Sequence, residues 1–210
     1  MSFPLDLQQL FQRDRVVAVL TAPDGETAEA ACRALARGGL SCAEITFRTE
    51  AAAEAISRAA LIEGFVVGAG TVLSAQQARQ ARDAGAAFAV APGTNDEVVR
   101  ACEELELPFV PGAATATEID HARNLGCSVV KLFPAGSLGG PSFVKAMSAV
   151  YPDVRFVPTG GIDSTSLSAY LSLPSVLACG GSWLVEGRLL AERRFDEVER
   201  LARDAVELSR

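Results

Sequence analysis

Histidine occurs once in the 210 residues and lysine only twice, the other 17 basic residues being arginine. The single histidine, His121, excludes chemistry that needs two imidazoles, and its helical setting TATEIDHARNLG, next to Asp120, reads as helix surface. Five cysteines (Cys32, Cys42, Cys102, Cys127 and Cys179) form no Cys-x-x-Cys pair and are odd in number, so neither a zinc site nor a disulfide framework is expected. Cys42, Cys127 and Cys179 lie in or beside apolar segments and read as small buried hydrophobes. No run approaches the ~18 apolar residues of a spanning helix. The start, MSFPLDLQQLFQRDR, carries polar and charged residues where a signal peptide would be apolar, so a soluble cytoplasmic protein is expected. Excess positive charge is missing too. With 26 acidic against 19 basic residues and a formal charge of -7, no nucleic-acid or anionic-membrane partner is expected, and a small ligand is the natural one.

What is present is a repeat. A chain of this length with 49% hydrophobic residues buries one substantial core, so a single domain over residues 1–210 is expected, uninterrupted by linker or low-complexity tract. Short Val/Ala/Ile/Phe-rich runs alternate with Ala/Glu/Arg-rich segments of helical period. Eight runs read as strands: 15–22, 41–47, 64–70, 86–92, 108–112, 128–135, 154–161 and 175–181. Helix starts are expected after Asp24, Thr49, Ser74 and Thr94, and helix stops at Gly38, Gly85 and Gly126 as left-handed caps. A short extra helix (PLDLQQLFQRD) precedes the first strand, and a long one closes the chain. Eight βα units in so small a domain favour a closed (β/α)8 TIM barrel over an open sheet, because closure leaves no edge strand.

In such a barrel the chemistry sits at the C-terminal strand tips. Lys131 falls inside the apolar run SVVKLFP, where alternation sets Val129, Lys131 and Phe133 on one face and Val130 and Leu132 on the other. If the second face meets the helices, Lys131 points into the barrel mouth, where loss of solvent favours the neutral, carbonyl-attacking amine. The bland alternative is a lysine ion-paired across the barrel floor, or one reaching to solvent at a strand end. In EITFR, Glu44, Thr46 and Arg48 share one face and Ile45 and Phe47 the other. The acid and the arginine form either an internal ion-pair layer or the proton shuttle and carboxylate clamp that keto-acid chemistry requires. Two glycine-rich tips follow the last strands, Pro158-Thr159-Gly160-Gly161-Ile162-Asp163 and Cys179-Gly180-Gly181-Ser182-Trp183. Each alone is an ordinary tight turn; together, with the Ser182 hydroxyl, they point to phosphate held by backbone N–H groups.

The segments EITFRT, VGAGTVL, VAPGTN, VPGAAT, KLFPA, RFVPTGGI and SVLACGGSWLV, in this order and spacing, resemble the 2-keto-3-deoxy-6-phosphogluconate (KDPG) aldolases over residues 15–187. The resemblance implies a cytoplasmic homotrimeric barrel that cleaves KDPG to pyruvate and D-glyceraldehyde 3-phosphate in the Entner-Doudoroff pathway, without a cofactor or metal. Many members also cleave 4-hydroxy-2-oxoglutarate (KHG) to pyruvate and glyoxylate. Carried over by position, it makes Lys131 the Schiff-base lysine, Glu44 the proton-transfer group, Arg48 and Thr71 the holders of the pyruvate carboxylate, and Pro92 and Phe133 lining residues. It assigns the phosphate to Gly160, Gly161, Gly181 and Ser182, and the substrate hydroxyls to Thr159, where galactonate-type relatives carry valine.

Two departures bear on substrate preference: Ala91 stands where the family has the serine of Ser-Pro-Gly, and Gly136 where it has the acid of KFFPAE. Other classes compete. A metal-dependent epimerase or class II aldolase would need a His/carboxylate ligand cluster. A non-catalytic sugar-phosphate-binding barrel would need only the glycine tips.

Overall fold

A computed structural model describes residues 6–210. The chain alternates strands and helices in the order α1 (Leu7–Asp14), β1 (Val16–Leu20), α2 (Gly25–Arg37), β2 (Cys42–Thr46), α3 (Ala52–Ala59), β3 (Val66–Gly70), α4 (Ala75–Asp83), β4 (Ala89–Val90) and α5 (Asp96–Glu104). It continues through β5 (Phe109–Val110), β6 (Gly112–Ala113), α6 (Ala116–Asn124), β7 (Val129–Leu132), α7 (Pro141–Val150), β8 (Arg155–Pro158), α8 (Leu167–Leu171), β9 (Cys179–Gly181), α9 (Gly187–Ala191) and α10 (Phe195–Leu208).

All strand ladders are parallel. One runs β5-β4-β3-β2-β1-β9 and the other β6-β7-β8. β5 and β6 are two halves of one stave broken at Pro111, which has no N–H to give a ladder but whose carbonyl accepts the Lys131 N–H at 2.8 Å. Bridges Phe156↔Val176 and Thr159↔Gly180 join β8 to the β9 stave. The ring closes on eight staves, the (β/α)8 barrel that the repeat predicts.

Two apolar clusters show why strands buried on both faces read as near-continuous hydrophobic runs. The outer one, with Leu20, Ile45, Val130, Leu132 and Phe156 from the strands and Leu35, Ile56 and Ile119 from the helices, lies between barrel and helix layer. The inner one fills the N-terminal half of the barrel with Val17, Cys42, Phe88, Val90, Val110, Val129 and Val157, and Leu10 and Phe11 of α1 pack into it. The extra N-terminal helix is therefore a floor plug; the expected start of that helix at Pro4 and Leu5 lies outside the described residues. Asp6 caps it by accepting from the Gln8 and Gln9 amides.

Local signals hold in part. Asp24 and Ser74 cap their helices as expected, but α5 is capped by Asn95, not Thr94, whose hydroxyl is taken by the Gly112 carbonyl. Thr49 does not cap α3: its hydroxyl donates to the Ala22 carbonyl, and the helix starts uncapped after Ala51. Gly85 and Gly126 are left-handed as expected, at φ +90° and +85°. Gly38 is right-handed, and the next residue, Gly39 at φ +97°, makes the turn.

Candidate active site

Strand parity decides what reaches the mouth. On β7, Val129 belongs to the floor cluster, Val130 and Leu132 pack outward, and Lys131 points inward above the floor. On β2, Cys42 lies in the floor and Ile45 packs outward, so Glu44 and Thr46 face in. The two strands meet across the barrel. The Lys131 Nζ donates to Glu44 Oε1 at 2.9 Å, with side-chain exposures of 7% and 5%. The other lysine, Lys145, is exposed on α7. The ion pair that sequence reasoning held open as the bland alternative is thus present, at the mouth and not in the floor. A buried pair is weak as a stability device, since desolvation offsets its attraction, but it sets an amine and a carboxylate one proton transfer apart.

Other side chains gather around it. The Phe133 ring centroid lies 5.8 Å from Lys131 Nζ, and the ring is 37% exposed at the rim. Arg48, exposed at the tip of β2, donates its Nε to Thr46 Oγ1 at 3.2 Å. Thr46 Oγ1 lies 2.8 Å from Thr21 Oγ1 at the tip of β1. These hydroxyls tie the Arg48 side chain to the tips of β1 and β2. Thr21 was not among the expected site residues. Its signal was available in parity, since Val17 lies in the floor cluster and Thr21 is four positions on.

Thr71 stands at φ +57°, a left-handed conformation that β-branched residues rarely adopt. A side chain at the preceding Gly70 would sit 3.1 Å from Glu44 Cδ and from Thr46 Cγ2, so the glycine makes room for the acid. Pro92 is half-buried, with its backbone packed against Gly112 so closely that a Cβ there would overlap it, and Gly112 is the ladder partner of Lys131.

The two glycine tips are adjacent. The buried Thr159 follows β8, and its Oγ1 lies where a Gly180 side chain would begin. Gly160 and Gly161 follow at φ +90° and +72°, and among the described residues neither amide donates to a backbone carbonyl. Gly181 is buried under the Trp183 ring, and Ser182 is exposed where a short 3-10 helix (Trp183–Val185) begins. An open depression of about 460 Å³ beside Phe47, Arg48, Gln77 and Gln80 flanks the helix side of the Arg48 loop, not the Lys131 pocket.

The remaining chemistry-bearing residues are elsewhere. His121 bonds Asp96 on the helix surface at 2.7 Å, both half exposed. Cys32, Cys42, Cys102 and Cys179 are buried and Cys127 is half-buried, all with free thiols. Burial pushes the Cys32, Cys102 and Cys179 thiols up to about 12 and raises Cys42 and Cys127 as well. Among the described residues no cluster of three His, Cys, Asp or Glu side chains converges as a metal ligand set. No helix among them is long and apolar enough to cross a membrane.

Residues 7–201 match the family model described as KDPG and KHG aldolase. The 2-dehydro-3-deoxy-phosphogluconate aldolase of Treponema pallidum (strain Nichols) is 46% identical over 203 residues, 95% of this chain and 96% of that protein. A crystal structure of the 2-keto-3-deoxy-6-phosphogluconate aldolase of Zymomonas mobilis ZM4 with 3-phosphoglycerate superimposes with a TM-score of 0.93 at 37% identity, covering 98% of this chain and 97% of that one. The Legionella pneumophila KDPG aldolase, with pyruvate captured at low pH as a covalent carbinolamine intermediate, aligns with a TM-score of 0.89 at 34% identity, over 94% and 97% of the two chains.

Proposed function

The chain belongs to the KDPG and KHG aldolase family of carbon–carbon lyases, and from that premise we propose that it cleaves KDPG to pyruvate and D-glyceraldehyde 3-phosphate through a Schiff base on Lys131. One observation carries this: the only buried lysine lies 2.9 Å from a buried carboxylate at the strand tips. Passing the Lys131 proton to Glu44 leaves a neutral amine and a carboxylic acid. The amine attacks the C2 carbonyl of the keto acid while Arg48 and Thr71 hold its carboxylate. Glu44 returns the proton to the carbinolamine hydroxyl, which departs as water and leaves the iminium. The Glu44 carboxylate then takes the C4 hydroxyl proton, directly or through water, as the C3–C4 bond breaks and its electron pair flows into the iminium. The aldehyde departs, the enamine is protonated at C3, and hydrolysis frees pyruvate and the lysine.

Pro92 and Phe133 shape the pocket, and Thr159 meets the substrate hydroxyls. The amides of Gly160, Gly161 and Gly181 with the Ser182 hydroxyl take the phosphate, whose binding energy orients the reacting bond. The enzyme works as a single-domain cytoplasmic homotrimer, a reading supported by the family resemblance and open to sedimentation analysis. Incubation with pyruvate and borohydride tests the chemistry. A stable pyruvate adduct on Lys131, with cleavage that survives EDTA, is expected; no mass gain, or full activity in Lys131→Ala, overturns it. Steady-state comparison of KDPG with 4-hydroxy-2-oxoglutarate tests the substrate, with KDPG expected to have the higher kcat/KM.

A further inference from the structure

We infer that Phe88 is a positioning residue for the reaction: its ring fills the slot left open by Gly68, seats the Glu44 carboxylate beside Lys131 and shuts water out from beneath the pair. This rests on the reading of Lys131 and Glu44 above. Val67 and Ala69 of β3 pack outward, so Gly68 and Gly70 turn their bare faces into the barrel. The ladder pairs Gly68 with Glu44 and Gly70 with Thr46.

Both glycine slots are occupied from other strands. A side chain at Gly68 would begin 2.3 Å from Cε2 and Cζ and 2.6 Å from Cδ2 of Phe88, so the ring itself lies in that space. A side chain at Gly70 would begin 3.1 Å from Cδ and 3.2 Å from Oε1 of Glu44, so the carboxylate lies over the next slot. The slots are one pleat period, about 6.6 Å, apart on the same face of one strand. Ring and carboxylate are therefore stacked neighbours, with the ring on the floor side. Phe88 is fully buried, and Phe11 of α1 meets it edge-on from the floor, ring centroids 5.4 Å apart. Water admitted in place of the ring would solvate the ammonium and carboxylate more than the neutral amine and acid, and so hold Lys131 in the form that does not attack a carbonyl. Among the described residues Glu44 alone bonds the Lys131 amine, and Arg48 stands at the tip of the same strand. Below Glu44 the Cys42 thiol is raised by burial and then by Asp14 of α1, with Arg13 opposing. Near their tips β1, β3, β4, β6, β8 and β9 add Thr21, Thr71, Val90, Gly112, Thr159 and Gly180, none of them an acid or a base.

The pH dependence of kcat/KM for KDPG in Phe88→Leu tests this, the ionisation of the substrate being common to variant and wild type. The acid limb is expected about one pH unit higher than in wild type, a loss of about tenfold on the limb that is recovered to within about threefold on the alkaline plateau. Phe11→Ala, which empties the floor on the far side of the ring, should leave the limb in place. A fall by the same factor at every pH, no change at any pH, or an equal displacement in Phe11→Ala overturns the inference. Should Phe88→Leu not fold, Phe88→Met keeps more of the volume and carries the test, with a limb about half a pH unit higher expected; a folded Phe88→Met with the wild-type limb overturns it. Failure of the underlying reading is separate. A wild type that traps no pyruvate with borohydride overturns the role of Lys131 and the inference with it, whereas trapping by the wild type with an unmoved limb in the variant overturns the inference alone.

Discussion

The two ends of the barrel are built from the same strands and do opposite things. Cys42 and Val129 fill the floor; two positions further along the same strands, Glu44 and Lys131 make a buried ion pair. Two residues of a strand span about 6.6 Å, so one period of the pleat separates stability from chemistry. The floor is apolar, closed by α1 and packed aromatic on aromatic, with Phe11 edge-on to Phe88 at 5.4 Å. The mouth holds charge, exposed rim residues, a strained threonine and consecutive left-handed glycines. Strain and buried charge are tolerated at the mouth because the floor below supplies the packing.

Substitutions at each end should separate the two roles. The largest effect is expected from Lys131→Met, which should abolish the borohydride adduct and lower kcat by at least about a thousandfold. The double variant Lys131→Met/Glu44→Gln should be equally inactive yet unfold no more readily than wild type, because it removes both buried charges together. A double variant much less stable than wild type would mean that the mouth also holds the barrel together. Conversely, Phe11→Ala should cost about 3–5 kcal/mol in denaturant unfolding while kcat per folded molecule stays within about twofold; a matching loss of kcat would make the floor part of the site.

Thr46→Val is a finer probe, because it keeps the shape and removes the hydroxyl that Arg48 and Thr21 share. Pyruvate half-saturation should rise by roughly three- to tenfold, as for one charge-assisted hydrogen bond at an exposed rim. Thr46→Ser should restore most of the loss; no recovery in the serine variant would indicate a packing defect. The smallest effect concerns the thiols. With Cys32, Cys102 and Cys179 raised to about 12 by burial, they stay protonated at pH 8 and react with a disulfide reagent only when the protein unfolds, Cys127 being the first to react. Rapid titration of all five in the native protein would contradict the packing described.

Much of this was legible in the residues. The eight staves follow from alternating periods, and Lys131 stands out by rarity within an apolar strand, its inward direction fixed by parity against Val130 and Leu132. Capping was less legible, because Thr49 and Thr94 have the right chemistry but find better acceptors in the carbonyls of Ala22 and Gly112. Gly136 reads in sequence only as a missing acid, whereas in the structure its amide donates to the Gly160 carbonyl and joins two loops.

The sequence by itself determined the repeat, the face each strand turns inward and the set of polar residues at the tips, because these depend on periods of two and 3.6 residues along one chain. Only the tertiary structure decided which tips meet. Lys131 and Glu44 are 87 positions apart, and Gly136 is 24 residues before Gly160, whose carbonyl accepts its amide. Closure of the barrel brings them within bonding distance, through ring order and register that no local pattern encodes.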